Sequence, residues 1–296
     1  MVAPTPFTLI TLVAEGLEKA GLSSPTTAQQ DRGEDKFMEE IKNDVWHKAK
    51  RLNSLQKVEI LVTTNGQDRY AQPTDFSSWL SLTVLDGLIN GTAQAGAVGS
   101  VTLASTDGST ETYMLGKNIL IYSGTGKGSM SQCTAFDTST KVATVTPDFT
   151  TAPDSTSKYL VINSQYELTQ EPIWNVNSLT DLSRQGKPAT YYPIGDEDDG
   201  EIKILPVPYR TTAIPWGIEQ RYYANLMTLD LTGTRLATIY QKWSSFFIQG
   251  VYAKQLQTDD DDRADRELEI YRRMLGELVM YETYGHDLSN LQTRVN

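Results

Sequence analysis

The chain has 296 residues, 26 of them basic and 37 acidic, for a formal net charge of −11. The length suits one large domain or two ordinary ones with a sizeable core. The acidic excess excludes a protein that grips nucleic acid over a broad surface, because phosphate contacts need Lys and Arg. A negative wall would instead repel a duplex and let it slide. A single cysteine, Cys133, excludes an internal disulfide and a thiolate-rich metal site.

Phe7 to Leu22 carries apolar residues at Leu9, Ile10, Leu12, Val13, Leu17 and Leu22, which is helical spacing, and Gly21 is a natural stop. The stretch has no basic start, and Glu15, Glu18 and Lys19 interrupt it, so it does not read as a signal peptide. No run reaches the roughly 18 apolar residues that span a bilayer. Cytoplasmic synthesis follows as the expectation. SSPTTAQQ is a loop or cap. A second, more polar helix is predicted from Thr27 to Leu52, with a stripe of Phe37, Met38, Ile41, Val45 and Ala49.

The texture then changes. KVEILVTT reads as a strand, Asn65-Gly66 as a turn, and RYAQPTDFSSWLSLTVLDG as extended segments broken at Pro73. From about Gly87 to Asn163 the chain is rich in Gly, Ser and Thr. Short β-prone runs recur there: SVTLAS, TETYML, NILIYS, MSQCTAF, KVATV and KYLVI. This pattern predicts a small all-β barrel or sandwich. Residues 86–163 are therefore assigned to an inserted all-β domain, and residues 1–85 and 164–296 to a core of helices plus sheet. Next, GKPATYYPIGDEDDGEIKILPVP holds a turn, an acidic loop and a strand whose Ile202 and Ile204 alternate with Glu201 and Lys203, implying one buried face. A strand is predicted over Trp216–Leu229 and a helix over Thr234–Leu256. The run TDDDD caps a last helix with the stripe Leu268, Tyr271, Leu275, Leu278 and Tyr281. Gly285 ends it and leaves a polar tail. The fold class is α+β: a helical bundle, made of an N-terminal and a C-terminal helix pair, with a β-sheet region and the inserted barrel or sandwich.

Candidate chemistries are thin. SGTGKGSMSQC has Gly124, Gly126, Lys127 and Gly128, but a Walker loop needs Ser or Thr after the lysine and a helix beyond it. A glycine-rich β-turn is the better reading. Asp259–Asp262 lacks the central Gly and terminal Glu of an EF-hand, Asp196–Asp199 with Gly200 following raises the same possibility, and both read as solvated loops or caps. His47 has Val45, Trp46 and Ala49 as neighbours and reads as an ordinary helix residue; His286 lies in the tail. No GxSxG turn supports a Ser–His–Asp arrangement. Tyr222, Tyr223, Tyr240, Trp243 and Tyr271 read as packing residues before sugar binders. No catalytic residue, metal ligand or cofactor site is assigned, and the chain is read as a non-enzyme.

Four segments in order carry a family resemblance. LITLVAEGLEKAGLSSPTTAQQDRGEDKFMEEIKNDVW resembles the opening helix pair of the head-to-tail adaptors of tailed bacteriophages, also called head-completion or connector proteins. GQDRYAQPTDFSSW, through Tyr70, Pro73, Asp75 and Phe76, is similar to that family's strand–Pro–Asp–Phe turn. GKPATYYPIGDEDDGEIKILPVP, through Gly186, Pro188, Tyr191, Pro206 and Pro208, is similar to its Gly-x-Pro-x-x-Tyr stretch ending in a Pro-x-Pro strand. The closing helices are the fourth. The stretch from GTGKGS to PDSTSKYLVI also resembles a β module of phage virion proteins, in which a glycine-rich turn precedes one strand and Pro-Asp-Ser-Thr-Ser the last. The long acidic GDEDDGE loop and the YRTTAIP connection depart from the adaptor pattern.

The resemblance implies a structural virion protein, made in the bacterial cytoplasm and resident at the neck. It would form a dodecameric ring beneath the portal protein, retain packaged DNA, provide the tail attachment site and pass DNA during ejection without sequence-specific contact. It further implies that the tail reaches the portal through Gly285, His286, Asp287, Leu288, Leu291, Arg294, Val295 and Asn296, and that a downstream tail or nozzle protein is a second partner. Membrane binding is not expected. The alternatives are a tail-tube or nozzle subunit, a virion-borne cell-wall hydrolase, and a carbohydrate-binding module in the β region.

Overall fold

The computed structural model describes residues 9–49, 51–106, 108–172, 184–195, 200–210, 214–226 and 242–284. They divide into two compact units. The first takes in the described residues of Met1–Lys57, Asp75–Ser78 and Tyr223–Asn296, and the second those of Val58–Thr74 and Trp79–Tyr222.

The first unit is helical. Helix α1 (Leu9–Lys19) buries Leu9, Leu12, Val13, Gly16 and Leu17. It ends where the sequence says: Gly21 takes φ +96°, the Leu22 N–H reaches the Leu17 carbonyl, and the Gly21 N–H reaches that of Glu18. This is the paired closure of a left-handed glycine cap. Helix α2 (Thr27–Asp31) opens on a capping box between Thr26 and Gln29. It runs through a π-helical segment, Arg32–Phe37, into α3 (Met38–Lys48). The predicted helix thus stops short of Leu52. Helices α5 (Ser244–Thr258) and α6 (Ala264–Tyr284) complete the unit. Their shared core includes Leu12, Phe37, Ile41, Phe246, Phe247, Tyr271 and Leu278. Each such large side chain contributes about 2 kcal/mol when it leaves water.

Glycines set the closest approaches between these helices. A Cβ on Gly16 would stand 2.7 Å from Val251, one on Gly33 2.4 Å from Val13, and one on Gly250 2.6 Å from Ile41. Small residues at these points let one helix sit against the next.

The second unit is β. In chain order its strands, some with ends in the first unit, are β1 (Gln56–Val62), β2 (Arg69–Ala71), β3 (Phe76–Thr92), β4 (Ala95–Ala97), β5 (Ser100–Thr102), β6 (Asn118–Ser123), β7 (Met130–Asp137), β8 (Val142–Thr146) and β9 (Lys158–Glu167). Then come β10 (Thr169–Gln170), β11 (Gln185–Gly186), β12 (Thr190–Ile194), β13 (Glu201–Leu205), β14 (Val207–Pro208) and β15 (Gly217–Ala224). Nine of them form one sheet in the order β1-β15-β3-β9-β6-β7-β8-β5-β4, and β10-β12-β13-β2 form a second.

This architecture overturns the expected helical bundle with a small all-β insert. The protein is mostly β, and four α-helices reach seven residues or more among those described. The reason is strand length. β3 runs from Phe76 through residue 86 to Thr92, and β9 runs past residue 163 to Glu167, with the two paired antiparallel from Thr83–Glu167 to Thr92–Lys158. The short strands between them therefore share a hydrogen-bonded sheet with β1 and β15.

Two local expectations also change. TETYML is not a strand: Glu111–Met114 form one helical turn, α4, with the Thr110 hydroxyl accepting the Tyr113 N–H. In β13 both faces are covered, because Lys203 is buried beside Asp68, 3.0 Å away, as well as Ile202 and Ile204. The strand predicted over Trp216–Leu229 is β15; Met227–Leu229 and the predicted helix start at Thr234 lie outside the described residues. Among the described residues no helix is long and apolar enough to cross a membrane.

Candidate functional site

The glycine-rich stretch is a β-hairpin turn. It joins β6 to β7, which pair antiparallel from Asn118–Gln132 to Leu120–Met130. Gly124, Gly126 and Gly128 have φ of +78°, +80° and +88°, a region that side chains with a Cβ avoid. The turn is clamped by the PDSTS stretch. Asp154 accepts the Thr125 hydroxyl at 2.7 Å and the Thr156 hydroxyl at 2.6 Å, and the Ser157 hydroxyl donates to the Thr125 carbonyl at 2.6 Å. The Thr156 hydroxyl foremost, then that of Thr125, lowers the Asp154 carboxyl to a pKa of about 2. These groups serve one another, which gives the loop a structural task.

The two adaptor-like segments meet in the four-stranded sheet and its core. Tyr70 on β2 lies opposite Ile202 on β13, and Tyr191 on β12 lies opposite Ile204. Tyr70 and Tyr191 share a buried cluster with Leu82, Ile202, Ile204 and Trp216. The Tyr70 hydroxyl donates to the Gln67 carbonyl at 2.8 Å and accepts the Thr64 N–H at 3.1 Å, fixing the predicted Asn65-Gly66 turn. Asp75 is ion-paired to Lys57. Gly186 pairs with Pro208 across β11 and β14, and the Pro188 carbonyl accepts the Tyr166 hydroxyl at 2.8 Å. Arg210 lies over the Trp216 ring at 3.4 Å, donates to the Gly87 carbonyl and pairs with Asp86. Sequence reading missed this last group, since Arg210 and Asp86 stand 124 residues apart in the chain.

In the helical unit, Glu282 has a fully buried side chain. It accepts Lys242 Nζ at 2.6 Å, Trp243 Nε1 at 2.9 Å and the Ser54 N–H at 2.9 Å. Burial resists its charge, but these donors outweigh burial and hold the carboxyl below its ordinary value.

A groove of about 680 Å³ in this unit is lined by α3, α5 and α6. Leu268, Leu275, Val279 and Met280 supply apolar lining, and Lys48, Lys254 and Arg272 supply cations. Lys254 lies 2.9 Å from Glu40 and 3.6 Å from Asp44, and Tyr271 donates to Asp44 at 2.8 Å. Burial first, and then the Asp44 charge, pushes the Tyr271 phenol up, so it remains a donor. The arrangement can seat an amphipathic segment.

A shallower hollow of about 520 Å³ in the β unit is lined in part by Asn90, Ser109 and the exposed Tyr113.

The remaining sequence candidates fall in separate places. Asp261 pairs with Arg263 at 2.8 Å and accepts its backbone N–H just before α6 begins, and Asp259 accepts Gln255 Nε2. His47 is exposed on α3. Tyr222 and Tyr271 are buried packing residues, and Trp243 packs against the helical core. Among the described residues no group of three or more His, Cys, Asp or Glu is placed to hold a metal. Asp196–Asp199, Tyr240 and the tail residues Gly285, His286, Asp287, Leu288, Leu291, Arg294, Val295 and Asn296 lie outside the described residues. Compared with protein-family models the chain matches none, and it matches no curated protein sequence.

Proposed function

We propose that the chain is a subunit of a head–tail connector ring in a tailed bacteriophage, seated beneath the portal protein. In this role it retains packaged DNA, offers the tail its attachment site and conducts the genome without catalysis. The observation that carries the reading is the clamp between Thr125 and Asp154. It joins the two stretches, SGTGKGS and PDSTS, on which the likeness to virion β modules rests. The meeting of Tyr70 and Tyr191 in one core supports it from the adaptor-like segments. The charge of −11 suits a bore through which DNA must pass without sticking.

The nine-stranded sheet favours a second reading, a tail-tube or nozzle subunit, since such proteins are built mainly of strands. Labelled copies separate the two. Co-purification with tailed particles and label at the neck directly beneath the portal support the connector. Label further down the tail axis supports the nozzle or tube. Failure to co-purify with particles contradicts both.

A further inference from the structure

Gly276 stands in the middle of α6, where a glycine weakens a helix relative to alanine. The other three glycines inside the described helices of this unit, Gly16, Gly33 and Gly250, are each explained by a neighbour within 2.7 Å of a would-be Cβ. Gly276 is not: a Cβ there would meet nothing within 4 Å. It lines the groove between α3, α5 and α6, between the apolar Leu275 and Val279, with the exposed cations Lys48 and Arg272 beside it. A helix glycine that no internal contact requires, at the floor of an apolar groove with a cationic rim, suits the close approach of another backbone.

The chain itself carries a matching element. Helix α1 exposes Ile10, 58% accessible, one of its large hydrophobics left in water. Ala14 and Glu18 follow it at helical spacing on the same side, with Glu15 exposed beside them. The stripe is apolar at one end and acidic at the other, which complements an apolar floor with a cationic rim. In a chain of net charge −11, a groove whose lining carries three cations, Lys48, Lys254 and Arg272, against one acid, Asp44, offers attraction between like copies.

We propose that α1 of a second copy of this chain seats in the groove over Gly276. The inference rests on the ring reading and supplies one of its subunit contacts. The two patches differ, so the contact is head-to-tail, the kind that closes into rings.

The test uses the full chain. Copies carrying Ile10→Cys and copies carrying Gly276→Cys are purified separately, mixed at high concentration and oxidised. The native Cys133 is buried. Disulfide-linked pairs are expected from the mixture well above the yield of either variant alone. Equal yields overturn the proposal. Independently, Gly276→Leu is expected to keep or raise the melting temperature while weakening self-association at least about tenfold. A Gly276→Leu chain that assembles as the wild type does overturns the proposal and leaves the ring reading standing. A wild type that stays monomeric up to its solubility limit also overturns it, and the ring reading is then judged by imaging with the portal.

Discussion

The Thr125 hydroxyl donates to the Asp154 carboxylate at 2.7 Å, across 29 residues of sequence. That bond ties the glycine turn of one hairpin to the approach of strand β9. Each glycine of the turn then has a predictable sensitivity. At Gly124 an added Cβ would lie 2.2 Å from the Thr156 carbonyl oxygen, a backbone atom that cannot yield, and φ is +78°. Gly124→Ala is expected to cost about 3 kcal/mol, from left-handed strain plus overpacking. Gly128 has φ +88° but open space around it. Gly128→Ala is expected to cost only the strain, about 1–2 kcal/mol. Urea denaturation of the two variants checks the ordering.

Asp154 also sets a pH window. Its folded pKa of about 2 lies below that of an unfolded aspartate, so its contribution is fully present above the ordinary aspartate range. The contribution fades as pH falls toward 2. Amide exchange at Thr125 and Thr156 is expected to accelerate, after correction for intrinsic rates, between pH 4 and about 2. Asp154→Asn is expected to abolish that pH step.

Glu282 gathers Lys242, Trp243 and the Ser54 N–H around one buried carboxylate. Glu282→Ala takes the shared acceptor from the Trp243 and Ser54 N–H groups and from Lys242, and is expected to cost about 3 kcal/mol. Its folded pKa is depressed, so the stabilisation is present above the ordinary glutamate value and is lost as pH falls through the folded one. The stability gap between wild type and Glu282→Gln is therefore expected to narrow in acid, measured by denaturation at neutral pH and at low pH.

Two glycines in the helical unit are expected to respond with opposite sign. Gly276→Ala is expected to stabilise the isolated chain by about 1 kcal/mol, because the helix gains and nothing is displaced. Gly250→Ala forces its Cβ to within 2.6 Å of Ile41 and 3.1 Å of Tyr271, and is expected to lose about 1–2 kcal/mol net. Thermal and chemical denaturation of both variants decide the point.

Local signals in the sequence were sound where one element decided the outcome. Gly21 ended α1, Asn65-Gly66 made a turn, and the β-prone runs KVATV and MSQCTAF marked β8 and β7. TETYML deceived because four to six residues carry both periods; the Thr110 cap and Glu111 in the first turn were the overlooked helix signal. The fold class failed for a different reason. Whether β15 slots between β1 and β3 depends on pairing across more than 100 residues, which no local period encodes. Lys203 broke the one-face rule because Asp68, brought by β2, neutralises it. Of the candidate site, the glycine turn was legible and the groove was not. Gly276 reads in sequence as a weak point in a helix, and the groove it lines exists only once α3 and α5 are packed beside α6.

The central claim is a ring on the genome's axis, and electron cryo-microscopy of the full chain mixed with its portal protein tests it most directly. The account predicts a closed ring of copies coaxial with the portal, with an acidic bore wide enough for duplex DNA. Portal rings without added axial density, or copies scattered away from the axis, would contradict it.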